Sequence, residues 1–221
     1  MYLSRVILNP RSRQVQRDLS QPYQMHRTVM RAFPAREALD DERVLFRVED
    51  HPATHTPVLL VQSRTAPDWS WLGQGAAASY LLEVAAPNPA VKLLHLTLSP
   101  GQVLSFRLQA NPTAKKAVDI DGEMRKLRVG LMREADQVAW LRRKLEAAGA
   151  ELLSSRVTTL GTQRSRKGSG EEQRLQTHFA VRFDGVLRVH DQARLLGAVE
   201  AGVGSAKGYG FGLLSLAPAP A

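Results

Sequence analysis

A turn at Ser99-Pro100-Gly101 separates two stretches that repeat one order of elements, and this repeat constrains the fold more than any other feature of the chain. Before the turn, Tyr2–Asn9 alternates apolar and polar positions and stops at Asn9-Pro10, which predicts a strand. Arg11–Leu19 is polar and basic and reads as a short helical turn. Ser20-Gln21-Pro22 then opens a helix, with proline near its first position, that runs to about Phe33 and is stopped by Pro34. Arg43–Glu49 and Pro57–Arg64 read as strands joined by a loop with Pro52 and Pro57. Trp69 and Trp71 anchor a short helix or turn, and Leu93–Leu98 supplies a fourth strand.

After the turn the order recurs. Gln102–Ala110 alternates as a strand, and Asn111–Gly130 reads as a long basic loop. Glu134–Ala148 places Val138, Leu141 and Leu145 on one helical stripe, with Gly149 as its stop. Glu151–Gln163 and Arg174–Phe183 are strands flanking the Gly/Ser/Arg/Lys-rich turn Arg164–Glu172. Asp184-Gly185 reads as a tight turn before Val186–Val189. Asp191–Ala201 is a helix capped by Asp191, and Phe211–Leu216 closes the pattern. Strand–helix–strand–strand–helix–strand, read twice, predicts an α+β chain of two tandem ferredoxin-like (RRM-like, βαββαβ) domains, 1–100 and 101–221.

The distribution of charge adds a partner class. Residues 1–36 hold seven arginines against Asp18 alone, residues 37–100 carry a net −4, and residues 101–221 a net +7, for +9 over the 221 residues. Two basic blocks separated by an acidic one predict a groove between two units that takes an anionic partner. The absence of cysteine excludes disulfide scaffolds, thiolate metal sites and thiol nucleophiles. No apolar run approaches the ~20 residues that span a bilayer, and the N-terminal flanks are wrong for a signal peptide. The expectation is a cytoplasmic protein with no membrane association.

Two segments concentrate chemistry. Gly202–Gly212 packs five of the 16 glycines into eleven residues. It follows a helix and enters a strand, the reverse of dinucleotide and P-loop glycines, and Ala206 stands where a Walker motif needs glycine. The run serves either close backbone packing or approach to a phosphate, and Lys207 and Tyr209 favour an anionic ligand. In the helix from Pro22, Met25, Val29, Met30 and Phe33 form an apolar stripe, while Arg27 and Arg31 face outward. Tyr23, His26 and Arg27 stand at i, i+3 and i+4, so their tips can converge on one ligand; a core-packed His26 is the competing reading. His51 and His55 share metal-ligand spacing but fall in a proline-bounded loop without supporting carboxylates. Lys115-Lys116, Arg125-Lys126-Arg128 and Arg164-Arg166-Lys167 are loop clusters able to track a phosphate backbone. Arg142-Arg143-Lys144 reads as a solvated helix face.

The strand ending Leu8-Asn9-Pro10, the segment Asp18-Leu19-Ser20-Gln21-Pro22-Tyr23-Gln24-Met25-His26-Arg27, the strand and loop Phe106–Thr113, and the glycine run into Gly212-Leu213-Leu214-Ser215-Leu216 together resemble the CasE family. These are the CRISPR RNA-processing endoribonucleases of type I-E systems, within the RAMP superfamily. The resemblance implies tandem ferredoxin-like domains and a metal-independent, cofactor-free endoribonuclease. Its substrate would be the CRISPR repeat stem-loop, cut at the base, and its product would be retained in the Cascade complex with the other subunits. It implies catalytic roles for Tyr23, His26 and Arg27. Candidate RNA contacts are Arg31, Lys115, Lys116, Arg156, Arg164, Arg166, Lys167, Gly204, Lys207, Gly208, Tyr209 and Gly210. The alternatives are a non-catalytic RAMP-type RNA-binding subunit of a ribonucleoprotein, and a generic protein with tandem RRM-like sheets. The latter would place stacking aromatics on central strands, whereas Phe46, Phe106, Phe179 and Phe183 are scattered.

Overall fold

The computed structural model describes residues 1–34, 43–120, 123–167 and 174–219. It is an α+β structure of two four-stranded antiparallel sheets, each with its own helices, plus a separate hairpin. In the first sheet β1 (Tyr2–Ile7), β2 (Leu45–Asp50), β3 (Pro57–Ser63) and β4 (Ala90–Leu93) lie in the order β2-β3-β1-β4. The second contains β5 (Val103–Ala110), β8 (Ala150–Lys167), β9 (Arg174–Val189) and β10 (Leu214–Pro218), in the order β10-β5-β9-β8. Numbered within each sheet, both arrangements are fourth, first, third, second.

On the first sheet pack α1 (Arg13–Ser20) and α2 (Pro22–Met30), burying Val15, Met25 and Val29 against Val6, Phe46, Leu59 and Val61. Asp18, inaccessible to solvent, ties the two helices together. It accepts from Thr28 Oγ1 at 2.6 Å and Tyr80 OH at 3.0 Å, with Arg17 as counter-ion. Burial, and then the charge of Asp18, hold the Tyr80 hydroxyl far above its ordinary pKa. In the second module α3 (Glu134–Ala147) and α4 (Gln192–Ala201) cover the sheet through Trp140, Leu141, Leu145, Leu195 and Val199. The side chain of Asp191 caps α4 by accepting from the Arg194 N–H at 3.0 Å.

Several expectations are corrected. α2 ends at Met30, because Arg31, Ala32 and Phe33 turn to three-residue bonds ahead of Pro34, whose ring disfavours helix before it. Between β3 and β4 no α-helix forms among the described residues. Turns seat Trp69, Leu72 and Tyr80 in the core instead, and Trp69 Nε1 donates to Ser4 Oγ at 3.0 Å. The fourth strand lies at Ala90–Leu93, ahead of the expected Leu93–Leu98. The stretch expected as a basic loop is a hairpin, β6 (Thr113–Ile120) with β7 (Glu123–Gly130). Asp184-Gly185 is no turn: β9 runs straight through it, next to the bulge that β8 makes between Leu152 and Ser154 opposite Leu187 and Val186. A Cβ at Gly185 would collide with the Ser154 carbonyl oxygen, so glycine there answers the bulge and not a bend.

A buried polar seam joins the modules. Arg47 of β2, 2% exposed, donates to Leu213 O at 2.8 Å, Ser215 Oγ at 2.9 Å and Glu49 Oε1 at 2.6 Å. Arg107 of β5 bridges Glu49 and Asp184. Burial lowers the Arg47 pKa, and the carboxylate of Glu49 opposes that shift. Gln62 of β3 adds a buried bond to Val199 O of α4 at 2.8 Å.

Candidate active site at the seam of the two sheets

α2 reaches the seam end-on. Pro22 at its start has no N–H, and Gln21 at the N-cap makes no side-chain cap. The Tyr23 N–H donates across the seam to Ser165 Oγ of β8, at 3.1 Å. With Met25 and Val29 turned into the core, helical spacing leaves Tyr23 and His26 half-buried at the rim and Arg27 exposed.

The rim gathers rings from four segments: α2, β2, β9 and the loop after α4. His26 lies 6.1 Å from the Tyr23 ring, centre to centre, and stacks at 6.3 Å and 22° on Phe46 of β2. The loop after α4 turns through Lys207–Tyr209 and sets Gly208 against His26, where a Cβ would stand 3.8 Å from the imidazole Cε1 and Nδ1. Tyr209 lies between Tyr23, at 6.3 Å, and His178 of β9, at 4.6 Å. Burial and then the neighbouring Tyr23 raise the Tyr209 pKa. Asn111 Nδ2 stands 3.1 Å from His178 Nδ1, which makes Nδ1 the acceptor and places the ring proton on Nε2. That Nε2 is buried without a hydrogen-bond partner, and burial lowers the His178 pKa, so the ring is held neutral.

Two open clefts lead away from this cluster. One, of about 570 Å³, runs from Tyr209 and His178 past Asn111 to Arg128 and Ser205. The other, of about 560 Å³, shares Arg128 and Ser205 and continues between the β6–β7 hairpin and α3, lined by Lys115, Arg143, Lys144, Trp140 and Gly204. Arg143 and Lys144 are solvent-exposed, as expected, and also line this cleft. The path is cationic at one end and reaches Tyr209 and His178 at the other, with Tyr23 6.3 Å beyond Tyr209 and His26 next to Tyr23. That arrangement can hold an extended anion and exchange protons with it.

The remaining candidates divide. Arg164 is exposed and lines a hollow beside Ser20 and Pro22 at the start of α2. The side chains of Arg166 and Lys167 lie outside the described residues. Lys116 is exposed on the strand face opposite Lys115. Arg31 lies over the Trp71 ring at 3.9 Å, past the end of α2. Arg156 sits nine residues before Ser165 on β8, roughly 30 Å away at ~3.3 Å per residue, so it is not brought to the cluster. Lys207 is half-buried over Gly212, its pKa lowered by burial and by Arg43 and Lys144. Gly204 and Gly210 have φ of +91° and +82° and press on Trp140 and Phe46. The glycine run thus serves both readings: packing at 204 and 210, and access to His26 at 208. Sequence reasoning missed Ser165, Phe46 as the floor under His26, and the His178 support of Tyr209. All three depend on contacts distant in sequence, and none carries a local signal. Among the described residues no group of three His, Asp or Glu is placed to hold a metal ion.

Comparison with known proteins bears on this geometry. The family model for CRISPR-associated proteins matches residues 1–218. The CRISPR-associated endoribonuclease Cse3 of Thermus thermophilus is 40% identical over 227 aligned positions, covering 99% of this chain and 100% of that protein. The CRISPR system Cascade subunit CasE of Escherichia coli is 35% identical, covering 99% and 100%. A solved structure of the CRISPR endoribonuclease Cse3 bound to 19 nt RNA superposes with a TM-score of 0.79 at 40% identity, over 99% of this chain and 100% of that one.

Proposed function

The chain belongs to the CRISPR-associated protein family, among the CasE/Cse3 endoribonucleases of the RAMP superfamily, and from that premise we propose how its own residues act. It cuts CRISPR precursor RNA at the base of the repeat stem-loop and stays on the mature RNA as a Cascade subunit. The observation that carries this reading is the meeting of Tyr23, His26 and Gly208 beside Tyr209, which lines a cleft leading to Arg128, in a fold shared with an RNA-bound relative. Two tandem ferredoxin-like domains, 1–100 and 101–221, are the finer reading of the architecture. The common fourth-first-third-second strand order supports it, although the second helix of the first unit is replaced by turns.

The ribose 2′-hydroxyl attacks the adjacent phosphorus in line, losing its proton, and the 5′-oxygen departs as it gains one. The products are a 2′,3′-cyclic phosphate, or the 3′-phosphate from its hydrolysis, and a 5′-hydroxyl end. Because the nucleophile belongs to the substrate, the step needs a proton acceptor, a proton donor and positive charge on the phosphate, without a metal. The imidazole of His26 serves as one proton carrier. Tyr23 orients the 2′-hydroxyl or assists transfer, and Arg27 stabilises the phosphorane. The RNA backbone follows Lys207, Gly208, Tyr209 and Gly210 into the cleft of Gly204 and Lys115. Arg164, Arg166 and Lys167 meet the stem, with Arg31, Lys116 and Arg156 as outlying contacts. The binding-only alternative expects His26 enclosed in the core, whereas His26 is partly exposed. Incubation with a labelled repeat hairpin in EDTA should give cleavage with cyclic-phosphate or 3′-phosphate and 5′-hydroxyl ends. His26→Ala should abolish cleavage and keep RNA binding. Full cleavage by that variant would overturn the assignment.

A further inference from the structure

Ser165 lies inside the basic stretch Arg164–Lys167, yet it is 3% exposed and cannot touch a ligand itself. Its side chain points to α2 and accepts the Tyr23 N–H at 3.1 Å. The start of α2 makes that bond consequential. Proline removes the first donor, Gln21 gives no side-chain cap, and Gln24 and Met25 already bond back to Gln21 O at 2.7 and 3.3 Å. Tyr23 therefore carries the first-turn donor that Ser165 takes, in the manner of an N-cap supplied from 142 residues away. The next residue along the strand, Arg164, points to the opposite side and is exposed, as strand alternation requires.

We propose that Ser165 is a positioning residue: it clamps the helix bearing Tyr23 and His26 to the strand whose outward face binds the RNA stem, so that stem binding sets the register of the catalytic helix. The clamp grips at the backbone of Tyr23 itself and, through the helix, fixes His26 three residues on. A stem held along the Arg164 face braces β8, and β8 holds α2 at a fixed height over Phe46 and Gly208. An alanine at 165 leaves the outward face intact and frees the helix end. The inference rests on the endoribonuclease reading given above.

The test is single-turnover cleavage of a repeat hairpin by the full-length protein, with RNA affinity measured separately. Ser165→Ala should lower the cleavage rate about tenfold, the scale of a lost cap acting through a small misplacement, with affinity within twofold of the wild type. Ser165→Thr, which keeps the hydroxyl, should restore most of the rate. Amide exchange should quicken at Tyr23 in Ser165→Ala and stay unchanged at Val181 and Phe183 in the second core. Wild-type RNA binding should slow exchange at Tyr23. A wild-type rate in Ser165→Ala, a parallel fall in rate and affinity, or a melting temperature lowered enough to unfold the variant would each overturn the proposal. If the unmodified protein left the hairpin uncut, the endoribonuclease reading would fail, whatever Ser165 does.

Discussion

Gly208 and Gly204 stand four residues apart in one loop, and replacing each by alanine should separate catalysis from stability. Gly208 has no positive φ, so its backbone is one that alanine adopts without strain. Its added methyl would sit in ordinary contact, 3.8 Å from His26 Cε1 and Nδ1. Stability should change by less than about 0.5 kcal/mol, as for an uncongested surface site. The methyl would, however, fill the space in front of the imidazole, where a phosphate or ribose oxygen must come within about 3 Å to exchange a proton. Displacement of that oxygen by about 1 Å is worth about a hundredfold in rate. Gly204 has φ of +91°, and a Cβ there would press to 3.1 Å from the Trp140 ring. Left-handed backbone costs a non-glycine residue about 1–2 kcal/mol, which lowers the melting temperature of a chain this size by about 2–8 °C. The assays are thermal unfolding and single-turnover cleavage of a repeat hairpin. A Gly208→Ala protein that cleaves at the wild-type rate would refute the placement of substrate between Gly208 and His26. So would one whose lost activity is matched by lost stability.

Arg47→Met should cost about 1–3 kcal/mol in urea unfolding, because it leaves the Leu213 carbonyl without its Arg47 donor and Glu49 with Arg107 alone; a loss under about 0.5 kcal/mol would show the seam to be wet. The lowered His178 pKa means the unfolded chain binds this proton more readily, so stability from the neutral ring is fully present above about pH 6.5. It should fall as pH drops below that value toward the lower folded pKa, and His178→Phe should flatten this part of the profile in pH-dependent melting. Replacing Arg164, Arg166 and Lys167 together should weaken RNA binding and flatten its salt dependence, by about 0.7–0.9 in slope for each phosphate that is no longer neutralised. The same measurement on Lys144→Ala reports whether the cleft beside α3 carries RNA: an unchanged slope would exclude it.

The sequence was most legible where one face of an element is buried. β5 and α3 declare themselves because Leu104, Phe106 and Leu108, or Leu141 and Leu145, repeat with the period of their element and all enter one core. The β6–β7 hairpin was hidden because it is largely exposed on both faces: Lys115, Lys116 and Ala117 are successive and all solvent-facing, leaving no period-2 pattern. The missing second helix of the first module was equally opaque, since Trp69 and Tyr80 fill the core from turns. At the site, Tyr23 and His26 could be paired from helical spacing alone. Phe46, Ser165 and His178 could not, because Phe46 is brought there by α2 packing on its sheet, and Ser165 and, through Tyr209, His178 by contact between the two modules.

β8 pairs with β9 on one side only among the described residues, which leaves an 18-residue strand with an open hydrogen-bonding edge. Such an edge invites another chain to add a strand. Here it is interrupted by irregularities at Leu152/Ser154 and Thr159/Gly161 and bears exposed cations at Arg156 and Arg164. These breaks twist the edge and make a second copy of the same strand an electrostatic mismatch. A polyanion meets no such objection. The features that favour a polyanion along this edge thus also disfavour the addition of a second copy of the strand.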